Sequence, residues 1–179
     1  MVQKQEQDVT YRHPFASVTA SLWSKYEQHK HVKEVDVLDR HISEDGKLHS
    51  TRLLTLYGNL PSLFRPFAPV RCIYMLEHVV VDAVDRSMEV RAETINLQSV
   101  VEAISVSSYH PAPGNSTRYH IEITVRAFPA RRRVLAEGEE ERTGYVAGKL
   151  ERWVAKKLLG NVGRGRQFID SFCCRQQVA

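Results

Sequence analysis

Arg118-Tyr119-His120-Ile121-Glu122-Ile123-Thr124-Val125-Arg126-Ala127-Phe128 alternates in character almost without a break. Successive side chains of an extended strand point to opposite sides, so Tyr119, Ile121, Ile123, Val125 and Ala127 share one face. His120, Glu122, Thr124 and Arg126 share the other. A strand patterned in this way buries one face and wets the other, as in an antiparallel sheet covered on one side. The same period of two recurs over residues 31–41, 47–56, 72–82, 87–97 and 100–109. Several of the links are short and turn-like: Glu44-Asp45-Gly46, Asp85-Arg86 and Pro111-Ala112-Pro113-Gly114-Asn115. Short links between consecutive strands imply an antiparallel meander, because parallel neighbours need long crossovers.

Two helical segments flank this meander. Residues 11–15 read as a short extended piece, and residues 16–26 read as a helix with Ala16, Ala20, Leu22 and Trp23 on its apolar stripe. After Phe128 the character changes to Arg131-Arg132-Arg133, then to acids over 137–141, then to a helical pattern that runs to about Phe172. Its acids lie early and Lys149, Arg152, Lys156, Lys157, Arg164 and Arg166 lie late, the order that the helix macrodipole favours. Gly144, Gly148, Gly160, Gly163 and Gly165 weaken that helix by about 1 kcal/mol each relative to Ala. The one long link, residues 58–70, is rich in proline yet carries Leu60, Leu63, Phe64 and Phe67. A connection this apolar either packs on the body or touches something greasy.

On a wheel of about 100° per residue, Val146, Leu150, Trp153, Val154, Leu158, Phe168, Ile169 and Phe172 define one apolar arc of the last helix. Lys157, Asn161 and Arg164 fall inside that arc, where core residues belong. Two unpaired buried cations would be strongly destabilising. Two readings follow. Either the stems lie on apolar surface with the charged heads in water, or the trio forms the polar floor of an amphipathic cavity that takes a phosphate. In the second reading Arg164 grips oxygens with its planar fork and Lys157 acts as a point charge.

The bulk composition narrows the remaining classes. A chain of 179 residues, 42% hydrophobic, can bury one sizeable core, so residues 1–179 are expected to form one domain. The excess of 25 Lys+Arg over 21 Asp+Glu gives +4, compatible with a phosphate or an anionic membrane surface as partner. Cys72, Cys173 and Cys174 make no disulfide framework. Residues 1–8 resemble neither a signal nor a transit peptide, and no apolar run approaches the ~18 residues of a membrane span, so any membrane contact is expected to be peripheral. His29-Lys30-His31 lacks further ligands at metal spacing, and phosphate-loop, dinucleotide and Cys-x-x-Cys motifs are absent, so no metal or cofactor is expected. Alternation places Asp36 on the opposite face from Asp39 and His41, which argues against a shared acid/base site there. Two other classes stay open: an enzyme acting on an apolar substrate in a helix-gripped cavity, and a basic scaffold that binds nucleic acid through Arg131-Arg132-Arg133. The bland reading of that triplet is a solvated face balanced by Glu139-Glu140-Glu141.

One stretch is also familiar. His31-Val32, Val35-Asp36-Val37-Leu38-Asp39-Arg40-His41, Gly46-Lys47-Leu48-His49-Ser50-Thr51-Arg52-Leu53-Leu54 and Leu60-Pro61 resemble the PRELI-domain lipid-transfer proteins of mitochondria. The likeness extends through Phe15, Trp23-Ser24-Lys25-Tyr26, Glu77-His78-Val79-Val80-Val81-Asp82, Asn96-Leu97 and the segment from Trp153 to Asn161. Gly46-Lys47-Leu48-His49-Ser50, Leu60-Pro61-Ser62 and Tyr109-His110-Pro111 place it nearest the slowmo-like branch. The resemblance implies an α+β fold, a curved seven-stranded antiparallel sheet gripped by helices around a lipid cavity, with a long C-terminal helix. It implies a carrier of phosphatidylserine or phosphatidic acid across the mitochondrial intermembrane space, without enzymatic chemistry. It further implies a small helical-hairpin chaperone protein held by twin disulfides as partner. Lys25, His31, Lys157, Asn161 and Arg164 match the family's headgroup-binding positions. Leu60, Pro61, Leu63, Phe64 and Phe67 match its membrane-contacting lid. Leu56 stands where some phosphatidic-acid carriers have a lysine, which tilts the expectation toward phosphatidylserine.

Overall fold

Each alternating segment contributes a strand to the structure, a computed structural model that describes residues 2–27, 31–57, 71–128 and 137–176. The elements run β1 (Gln3–Tyr11), α1 (Phe15–Ser24), β2 (Val32–Ile42), β3 (Leu48–Tyr57), β4 (Cys72–Asp82), β5 (Ser87–Thr94), β6 (Val101–Ala112), β7 (Ser116–Ala127) and α2 (Glu137–Gln176). The strands form one antiparallel sheet of seven in the order β1-β7-β6-β5-β4-β3-β2. From β2 to β7 this is the expected meander. At the β6–β7 hairpin, Gly114 and Asn115 both take positive φ (72° and 56°), the left-handed backbone that matches the twist of tight hairpins.

The strand that alternation missed is β1. Gln3, Gln5 and Gln7 stand where a buried-face pattern would show apolar residues, so only Val9 and Tyr11 carried the period. Its partner supplies the missing signal. Register from Gln3 opposite Val125 to Tyr11 opposite Thr117 lays β1 along the clean alternation of β7.

A β-bulge overturns one expectation about β2. Val37 pairs with Arg52 and Asp39 with Thr51, leaving Leu38 as the extra residue. The bulge resets the alternation, so Asp36, Asp39 and His41 lie on the same, outer face rather than on opposite faces. Asp39 Oδ2 accepts a hydrogen bond from His41 Nδ1 at 2.7 Å, and both side chains are exposed. Strand β5 ends at Thr94, short of residue 97, because Asn96 stands in for the next backbone rung. Its Oδ1 accepts from Tyr74 N and its Nδ2 donates to Cys72 O, both at 2.9 Å.

The core lies between the inner face of the sheet and the two helices. Val90, Ala103, Ile121, Ile123 and Val125 are buried beneath Val18 and Leu22 of α1 and Ala147, Leu150, Ala155 and Ile169 of α2. Each fully buried Val, Leu or Ile among these contributes about 1.5–3 kcal/mol. Helix α2 packs on β7, β1 and β6 and against α1. It is anchored by Glu151, almost wholly buried, whose Oε1 accepts a hydrogen bond from Ala127 N at 3.0 Å where β7 ends. Toward the other side of the sheet, inner residues Leu48, Leu56, Ile73, Met75 and Val81 are only half-buried. The inner face is therefore sealed at β5–β7 and, midway along β3–β4, at Ser50, Arg52, Leu54, Glu77 and Val79, and it is less covered toward the ends of β3 and β4.

Candidate functional site

A charged cluster sits midway along the inner face of β3 and β4, where strand alternation calls for apolar residues. Arg52 of β3 lies between Ser50 and Leu54 on the inner face, and its registered neighbour on β4 is Glu77, between Met75 and Val79. Both side chains are buried, at 3% and 1% exposed. Arg52 donates to Glu77 Oε1 through Nε at 2.9 Å and through Nη2. The end of α1 closes over the other carboxylate oxygen. Tyr26 Oη donates to Oε2 at 2.6 Å, and Lys25 Nζ lies 3.3 Å from it with its side chain 21% exposed.

Aromatic faces complete the enclosure. The Arg52 guanidinium carbon lies 5.0 Å from the Trp23 ring centre and 5.5 Å from that of Tyr26, and Arg40 approaches Trp23 at 4.8 Å. Such contacts favour a cation whose water has been stripped away. Burial pushes the Glu77 carboxyl up, but the charges of Lys25 and Arg52 and the hydrogen bonds from Tyr26 and Arg52 outweigh it. They hold the group below its ordinary value, ionised. Burial, then the Glu77 charge and the hydrogen bond to it, push the Tyr26 phenol well up, so it stays a donor. Two cations share one carboxylate here, so the Lys25–Arg52–Glu77 trio carries one net positive charge, and Arg40, opposite Ser50 on the inner face, adds a further cation at its edge. An anion with an apolar body fits that surplus.

The five residues expected at the headgroup fall into separate groups. Lys25 joins the Arg52–Glu77 cluster. Lys157, Asn161 and Arg164 line one face of α2 at the expected i, i+4, i+7 spacing, with Lys157 and Arg164 exposed and Asn161 half-buried. Lys157 Nζ sits 5.0 Å over the Trp153 ring, and Arg164 donates to Asn161 Oδ1. Lys157 thus lies along an aromatic ring with its side chain exposed, and Arg164 is exposed beside Asn161. His31 opens the β2 segment, exposed, with its carbonyl accepting from Tyr57 N at 2.9 Å. Leu60, Pro61, Leu63, Phe64 and Phe67, with Arg131-Arg132-Arg133, lie outside the described residues.

Arg52 and Glu77 were not singled out from the residues, although the signal was there. Each is a charged residue whose i−2 and i+2 neighbours face the core, the strand counterpart of a cation inside an apolar helical arc. Among the described residues, no group of three or more His, Cys, Asp or Glu side chains is placed to hold a metal ion. Among them too, no helix is long and apolar enough to cross a membrane.

A curved antiparallel sheet gripped by a long C-terminal helix, with a buried ionic cluster on its inner face, places the chain in the class of α+β helix-grip domains. Solved structures share that architecture. Ara h 8.0201 superimposes with a TM-score of 0.57 at 10% identity, covering 98% of this chain and 99% of that one. The ZhuI aromatase/cyclase of Streptomyces sp. R1128 reaches 0.60 at 12% identity over 95% and 94%. At these identities the likeness is one of fold.

The chain belongs to the PRELI-like family, which it matches over residues 16–179. Among curated relatives it is 25% identical to Protein UPS2, mitochondrial, of Saccharomyces cerevisiae, across 90% of this chain and 68% of that protein. It is 30% identical to PRELI domain-containing protein 1, mitochondrial, of Gallus gallus, across 58% of this chain and 51% of that one.

Proposed function

We propose that this protein, acting as one domain over residues 1–179, is a non-enzymatic carrier of an acidic phospholipid between the outer and inner mitochondrial membranes, phosphatidylserine in preference to phosphatidic acid. The observation that carries the reading is the inner-face cluster: two cations, Lys25 and Arg52, on one carboxylate, Glu77, within a largely apolar inner face. A surplus positive charge in such surroundings suits a lipid headgroup, while half-buried Leu48, Leu56, Ile73 and Met75 suit acyl chains. Family membership and the mitochondrial names of the relatives support a place in the intermembrane space.

In this reading the exposed Lys157 and Arg164, with Asn161 and His31, meet the headgroup on its way in, and Lys25 meets it at the floor. Leu60, Pro61, Leu63, Phe64 and Phe67 serve as the lid that touches an anionic bilayer. A small hairpin protein with twin disulfides is the stabilising partner. Each acyl methylene moved from water to the interior contributes about 0.8 kcal/mol, so the carrier needs no chemical step. The test is the lipid that the protein retains. Purified with its partner from cells and analysed by native mass spectrometry, it should hold one diacyl phospholipid per chain with an acidic headgroup. A preparation that is folded and lipid-free after exposure to mixed vesicles contradicts the reading, and a chemically altered lipid points to an enzyme instead.

A further inference from the structure

Among the described residues, the three donors on Glu77 are not held equally. Arg52 donates twice to Oε1, and its side chain is 3% exposed. Tyr26 makes a short bond to Oε2, at 2.6 Å. Lys25 shares that oxygen at 3.3 Å, long for a charge-assisted contact, with its side chain 21% exposed and its ammonium 4.5 Å from the Tyr26 ring centre. Lys25 is thus the loosely held, solvent-reaching member. If it leaves, Arg52 and Tyr26 still satisfy the carboxylate, so its departure strands no buried charge.

We propose that Glu77 is an internal competitor for the lipid headgroup: it holds Lys25 in the empty carrier, yields it to the incoming anion, and reclaims it as the anion leaves. This rests on the carrier reading and on Lys25 meeting the headgroup. A carrier has to release what it binds, and an internal carboxylate lowers the affinity of its own lysine for the lipid anion without adding a second binding state. Arg52 stays on Glu77 throughout, as the fixed member that keeps the carboxylate in place.

The experiment compares wild type, Glu77→Gln, Tyr26→Phe, Lys25→Met and the double variant Tyr26→Phe/Lys25→Met, each with the partner. The probe is phosphatidylserine in phosphatidylcholine vesicles, read both as equilibrium retention and as the rate of unloading to acceptor vesicles. Glu77→Gln should retain lipid about tenfold more tightly, the size of one charge-assisted hydrogen bond, and unload more slowly. Tyr26→Phe strips a donor from Oε2, tightens the grip on Lys25 and should weaken retention a few-fold. In the Lys25→Met background Tyr26→Phe should have no further effect.

Weaker or unchanged retention in folded Glu77→Gln overturns the proposal. So does a Tyr26→Phe effect that persists without Lys25. Should Glu77→Gln fail to fold, the Tyr26→Phe pair decides alone. A folded wild type that carries no lipid refutes the carrier reading itself, an outcome distinct from a wild type that carries lipid with variants that do not diverge.

Discussion

Removing one member of the Arg52–Glu77 pair should cost far more than removing both. In Arg52→Met the carboxylate loses both donors to Oε1 but keeps Tyr26 at 2.6 Å and Lys25 at 3.3 Å on Oε2. Breaking a buried pair costs about 3–5 kcal/mol, and the surviving partners place this variant near about 3 kcal/mol. Among the described residues, Glu77→Met leaves the 3% exposed Arg52 facing the aromatic rings of Trp23 and Tyr26 at 5.0 and 5.5 Å, which places it at about 5 kcal/mol. In the double variant two methionines of similar volume fill the site, and partly exposed Lys25 can turn its head to water, so the loss should be no more than about 2 kcal/mol. Urea unfolding followed by Trp fluorescence measures all three, since Trp23 sits against Arg52. A double variant as unstable as the sum of the singles would show that the two groups are not one electrostatic unit.

Further outcomes follow from the same structure. The folded-state Glu77 carboxyl is depressed below its ordinary 4.5, so its stabilisation is present above that pH and is lost as the pH falls through the lower folded value. Acid titration of wild type against the Arg52→Met/Glu77→Met variant should therefore show the variant losing less stability below pH 4.5. Burial raises the phenols of Tyr11, Tyr26, Tyr109 and Tyr119, so their contribution is present below the ordinary value of 10 and is lost as pH rises past it. Absorbance of tyrosinate on alkaline titration should show these four ionising only as the fold opens; their titration at the ordinary value in folded protein would contradict their burial. Glu151→Ala leaves the buried Ala127 N–H without its acceptor at a cost of about 1–3 kcal/mol, read as a fall in unfolding free energy and faster hydrogen exchange at Ala127.

The meander was legible because β5 and β7 alternate cleanly and three of the links are turn residues, even though a bulge interrupts β2 and the Arg52–Glu77 pair interrupts β3 and β4. What escaped had specific causes. In β1, inner-facing Gln5 and Gln7 hide the period, and only long-range pairing with β7 makes the strand. The bulge at Leu38 shifts every later residue of β2 by one, and nothing in Val37-Leu38-Asp39 announces it. The glycines of α2 were expected to weaken it, yet the helix runs unbroken from Glu137 to Gln176 because its packing on β7, β1 and α1 overrides local propensity. Of the candidate site, the spacing of Lys157, Asn161 and Arg164 was legible and their orientation was not. A wheel fixes the angle of a stem but not where a long side chain puts its charge. Lys25 was found by resemblance, while Arg52 and Glu77 became visible as a pair only when strand register set them opposite each other.

The central claim is carriage of an acidic phospholipid, and vesicle-to-vesicle transfer tests it most directly. Partner-bound protein should move fluorescent phosphatidylserine from donor to acceptor vesicles faster than phosphatidic acid and should leave phosphatidylcholine behind. Lys157→Glu and Arg164→Glu, both at exposed side chains of α2, should each slow transfer at least tenfold without changing the melting temperature. Folded, partner-bound wild-type protein that moves none of these lipids would contradict the claim.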